Sequence, residues 1–98
     1  MKTFAMTLAV LCLAGSALAG STIERACLNS DRNPGRSLCG CIQKIADVKL
    51  SSADQRLAAK FFRDPHLAQE TRQSNNAAKE RFWKRYRDFG ETAEQNCS

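Results

Sequence analysis

Chemistry in this 98-residue chain would have to come from five cysteines, one histidine and a single run of bases and aromatics. The closest cysteine pair is Cys39-Gly40-Cys41. Redox dithiols use a C-x-x-C spacing beside a βαβ pattern. Here the spacing is tighter and no strand pattern flanks it, so the pair reads as structural. Zinc sites also draw on C-x-x-C pairs, and neither a metal nor another cofactor is expected. His66 follows Asp64-Pro65 in the first turn of a predicted helix. General acid–base or nucleophilic catalysis needs a second group poised beside it, and the sequence offers none. An exposed or capping histidine in a non-enzymatic chain is the reading that follows.

The run Lys79-Glu80-Arg81-Phe82-Trp83-Lys84-Arg85-Tyr86-Arg87 sets bases between aromatics over two helical turns. Such interleaving binds nucleic acid through phosphates and stacking, or an anionic surface. On a helical wheel, however, Phe82 and Tyr86 turn toward one apolar stripe, and Arg81, Lys84 and Arg85 fall on the opposite arc. Trp83 and Arg87, four apart, share an exposed flank on which a cation–π pair could form. The candidate binding surface is therefore Trp83, Arg85 and Arg87, facing an envelope protein or an anionic surface rather than nucleic acid. Glu80 with Lys84, and Arg87 with Glu91, have the (i, i+4) spacing of pairs that support a solvated helix.

These residues need a compartment and a frame. Lys2, the apolar stretch Phe4 to Ala14 and the small-x-small Ala17-Leu18-Ala19 predict a cleaved secretory signal over residues 1–19. The stretch is shorter than the roughly 20 apolar residues of a membrane span, and residues 20–98 contain no such run. Cleavage removes Lys2, lowering the formal charge from +5 to +4, and Cys12, leaving Cys27, Cys39, Cys41 and Cys97. An even count in a short exported chain predicts two disulfides.

Residues 20–98 read as one all-α domain of four to five helices. Ser21 to Glu24 has a capping-box pattern, with Ser21 expected to accept from the Glu24 amide, and opens a short helix through Leu28. Asn33-Pro34-Gly35 is a turn. A second helix from about Ser37 carries Leu38, Cys41, Ile42, Ile45 and Val48 on a stripe expected to face the core. Ser51 and Ser52, with Asp54 and Gln55 at capping-box distances, start a third helix with Leu57, Ala58, Phe61 and Phe62 on its apolar side. Asp64-Pro65 ends it and starts a fourth, His66 to Gln73. Ser74-Asn75-Asn76 fits either a break or a polar stretch within one long helix. The last helix, Ala77 to Asn96, turns Phe82, Tyr86, Phe89 and Ala93 to the core.

That core is thin, and domains of this size need covalent staples. Cys39 and Cys41 point about 200° apart on one helix, so they do not bridge each other. One pairs with Cys27 across the turn and the other with Cys97. Cys27 and Cys39 are equidistant from Asn33, as a hairpin requires, whereas Cys41 lies better on the apolar stripe. Both pairings stand.

Four segments, Ala26-Cys27-Leu28, Leu38 to Gln43, Leu50 to Ser74 with Asp64-Pro65-His66-Leu67-Ala68-Gln69-Glu70 inside it, and Phe82 to Tyr86, resemble a family of small exported bacterial proteins. Some of its members carry the label arginine transporter. The resemblance implies a periplasmic or secreted location and brings no catalytic motif. Transport itself needs a membrane span, so what the label implies here is an accessory of arginine transport. The leading expectation is a disulfide-stapled binding protein of the bacterial envelope. The transport accessory and a cationic membrane-active polypeptide are the alternatives.

Overall fold

The computed structural model describes residues 21–97; the predicted signal segment, Gly20 and Ser98 lie outside the described residues. Five helices follow in order: α1 (Thr22–Leu28), α2 (Arg36–Lys49), α3 (Ser52–Arg63), α4 (Pro65–Arg72) and α5 (Ala77–Asn96). The described residues contain no strand.

Local signals set most of the boundaries. The Ser51 hydroxyl accepts from the Asp54 amide at the start of α3 (3.1 Å), and Asp64 Oδ1 accepts from the His66 amide at the start of α4 (3.2 Å). Both caps satisfy amides that have no partner inside their own helix. Residues 74–76 form a break: Asn76 Oδ1 caps the Lys79 amide of α5 at 3.0 Å, and Ser74 Oγ accepts from the Asn76 amide. Between α1 and α2 the chain passes through Asn33 at φ 26° and Gly35 at φ 105°. The second of these angles is the left-handed region in which a side chain is strained.

The cap expected of Ser21 does not form. Gln43, near the middle of α2, reaches across instead, and its Oε1 accepts from both the Ile23 amide (2.7 Å) and the Glu24 amide (2.8 Å). Seven residues are too few for a helix to hold alone. A partner helix therefore supplies the acceptor for two of the orphaned donors of α1.

The α2 stripe also departs from expectation. Val48 is 79% exposed, whereas Cys39, Gln43 and Ala46 are buried, with Leu50 following just past the helix end. These four lie within a narrow arc about 100° or more from the centre of the apolar stripe. The most buried arc contains a glutamine, and apolarity alone points to the wrong side. Ile42 and Ile45 are partly buried and still pack against the core.

The core joins Ile23 and Ala26 of α1, Ala46 of α2, Leu50, Ala58, Ala59 and Phe61 around α3, and Phe82 and Phe89 of α5. Alanines at these crossings let backbones approach closely, and the three phenylalanines fill the space between them. Helix α2 touches α1 on one side and α5 on the other; α3 packs on α1, and α4 bridges α3 to α5. Cys27 pairs with Cys39 and Cys41 with Cys97, with Cα–Cα separations of 5.6 and 5.7 Å. The opposed directions of Cys39 and Cys41 thus send one bond from α2 to each neighbour.

Candidate functional site

Helix α5 is polarised. Lys79, Arg81, Lys84, Arg85 and Arg87 lie with Glu80 between positions 79 and 87, while Asp88, Glu91 and Glu94 follow with no base after them. The helix dipole favours the reverse order. Its charges are therefore not placed to stabilise the helix.

The three predicted site residues have different surroundings. Arg85 is exposed and paired: Nε donates to Asp54 Oδ2 at 2.7 Å and a terminal nitrogen donates to Oδ1 at 3.2 Å, a fork-shaped pair joining α5 to α3. That carboxylate raises the guanidinium pKa above its already high ordinary value, chiefly through the hydrogen bond. Trp83 is half-buried, its ring centroid 5.3 Å from Tyr86 and 6.4 Å from Phe61. Its packing partners are thus the aromatic cluster. Arg87 is exposed, with Glu91 Oε2 at 3.9 Å, a distance that contributes little in water. Lys49 of α2 meets Asp88 of α5 at 3.0 Å.

Tyr86 lies at the centre of this region. Phe61 meets it edge-on at 5.0 Å, and Phe82 and Phe89 are each 5.9 Å away. Burial pushes its phenol pKa upward. Beside it a groove of about 450 Å³ runs between α2 and α5. This shallow groove is lined by Leu38 and Ile42 from α2 and by Arg87, Gly90, Ala93 and Glu94 from α5. Trp83, Arg87, Gly90 and Glu94 follow one another at offsets of four, three and four, so the groove continues the line of the predicted surface.

Two of these features were missed by sequence reasoning. Gly90 sits in mid-helix, and a Cβ built there meets nothing within 4 Å. The spacing of Trp83, Arg87, Gly90 and Glu94 was its available signal. The α2 wall had no signal, because it depends on the rotation that places Gln43 inward. His66 is exposed, 3.5 Å from Glu70 on its own helix, and Cys39 and Cys41 are both in disulfides.

No protein-family model matches the chain, and no curated protein or solved structure matches it either. Among the described residues no helix is long and apolar enough to cross a membrane. The two intramolecular disulfides are those of an oxidising, extracytoplasmic setting.

Proposed function

We propose that this chain is a non-enzymatic binding protein of the bacterial periplasm or exterior, and that it takes a protein partner along the α2–α5 groove. One observation carries the reading. Gly90 costs α5 about 1 kcal/mol relative to alanine, yet no neighbour needs its missing side chain. A backbone approaching from outside does need it. Leu38, Ile42 and the edge of Trp83 give such a partner apolar contact, and Arg87 and Glu94 give it polar contacts on either side of the gap. Arg85, itself exposed, is tied to α3 through Asp54.

A membrane-active role is less well supported, since such helices present a broad apolar face and Val48 is the large hydrophobic side chain left exposed among the described residues. An accessory of arginine transport, as the family resemblance implies, is the same kind of protein with a transporter subunit as partner.

The experiment is photo-crosslinking in the native envelope from position 87, with position 69 on α4 as control, followed by mass spectrometry. A discrete protein adduct from position 87, absent from position 69 and lost when Gly90→Leu fills the groove, is the expected result. Adducts that survive Gly90→Leu, or that form equally at both positions, reject the groove.

A further inference from the structure

A second cavity, of about 410 Å³, opens between the α1–α2 turn and the α3–α4 junction. Its apolar surface comes from Ile42, Phe61, Phe62 and the Cys27 end of the first disulfide. Pro34 of the α1–α2 turn and Pro65 at the start of α4 line it as well. The volume lies in the range of small-molecule sites, about 300–1,000 Å³.

Charge at its mouth is uneven. Arg32 from the turn and Arg63 from the end of α3 line it together with Asp31. Among the described residues neither arginine has a carboxylate within 4 Å. Arg63 also lines an adjoining cleft with Arg25 of α1, and no acid lines that cleft. Behind it Lys60 and Arg56 continue along the same exposed ridge of α3 at offsets of three and seven, likewise without ion-pair partners among the described residues. Like charges four apart on a helix destabilise it. The fold thus sets two guanidinium groups against one carboxylate at its apolar cavity, with neither arginine in an ion pair.

We propose that this cavity binds a single-chain fatty carboxylate, with its acyl chain against Ile42, Phe61 and Phe62 and its head at Arg32 and Arg63. An apolar recess with a cationic rim favours an amphiphile with one anionic end. Guanidinium geometry suits a carboxylate, which it meets through two parallel hydrogen bonds. Asp31 opposes the head group, and this gives the assignment a sign that can be tested from both directions. The site is separate from the α2–α5 groove except for Ile42, which lines both.

Laurate, below its micellar concentration, is the probe, titrated into the oxidised protein by calorimetry. The fluorescence of the sole tryptophan, Trp83, whose ring is 6.4 Å from Phe61, serves as a second readout. The expected result is saturable 1:1 binding that Arg63→Gln weakens about tenfold, as loss of a charge-assisted hydrogen bond would. Asp31→Asn should tighten it, and Arg72→Gln, on α4, should leave it unchanged. Dodecanol should bind at least as weakly as laurate binds to the Arg63→Gln protein. Equal binding of laurate and dodecanol, an unchanged affinity in Arg63→Gln, or no saturable heat at all would overturn the assignment. Gly90→Leu should leave laurate binding intact, so failure at the groove and failure here are told apart.

Discussion

Gln43 joins three elements through one amide group. Its oxygen accepts from two α1 amides, and its nitrogen donates to Asp47 Oδ1 and to Gln55 Oε1, both at 2.9 Å. Gln55 then passes its own donors to the Ala46 and Leu50 carbonyls, where α2 ends. Among the described residues no buried side-chain polar atom is left without a partner, so the network is closed and its loss is felt at several atoms. Gln43→Leu should destabilise the domain by about 2–4 kcal/mol, because it leaves the Ile23 and Glu24 amides orphaned; urea unfolding measures this. A cost under about 1 kcal/mol would mean that water replaces the glutamine. Tyr86 gives a prediction with a defined sign. Its phenol pKa is raised in the folded protein by burial, so the unfolded chain loses this proton first as pH rises. The contribution of Tyr86 to stability is therefore full below its ordinary value near 10 and is lost as pH climbs through the folded value. As the only tyrosine, it can be followed by tyrosinate absorbance, whose midpoint should lie above that of the urea-unfolded chain.

At the scale of the helix, α2 shows what a pattern of apolar residues can and cannot reveal. The sequence leaves open the break at residues 74–76 that separates α4 from α5. The helical character of the whole domain was nevertheless legible, because capping residues, a proline and a turn mark most of the ends and apolar residues recur at three and four. The rotation of α2 was not, because Leu38, Ile42, Ile45 and Val48 outnumber the residues of the arc that is buried most deeply. That arc consists of Cys39, Gln43 and Ala46, chosen for a disulfide, a hydrogen-bond network and close approach. The same rotation explains why the Cys27 pairing could not be decided from the stripe: Cys41 lay on it, yet Cys39 faces α1. The exposure of Arg87 was legible, since the wheel already turned it outward. The pairing of Arg85 with Asp54 was not legible, because the two lie 31 residues apart in the chain. Helix α5 carries the prediction proper to this scale. Gly90→Ala should stabilise the protein by about 0.5–1 kcal/mol, a rise in melting temperature of about 2–8 °C for a domain of this size. Unchanged or lower stability would show that the glycine serves the fold itself.

For the whole molecule, the two disulfides differ in both burial and loop length. Cys27 and Cys39 are fully buried, whereas Cys41 and Cys97 are partly exposed. Thiols should therefore reach the second bond first. Graded reduction with alkylation and peptide mapping should trap a form that has lost Cys41–Cys97 but kept Cys27–Cys39, and the reverse order would contradict the burial. In the chain-entropy model, the 56-residue separation of Cys41 and Cys97 corresponds to about 4 kcal/mol, and the 12-residue separation of Cys27 and Cys39 to about 3 kcal/mol. The thin core makes either loss large against total stability. The order of the bonds along the chain also bears on how the protein is made. Among Cys27, Cys39, Cys41 and Cys97, each bond joins neighbours in sequence, Cys27 with Cys39 and Cys41 with Cys97. A chain emerging amino end first into an oxidising solution can close Cys27–Cys39 before Cys97 has appeared, so the last cysteine finds the first already occupied. The remaining choice, between Cys39 and Cys41, is made by the turn of one helix. Oxidation can then reach the native pairing without breaking a bond once formed, and this domain has little need of the slow reshuffling that interleaved disulfides impose.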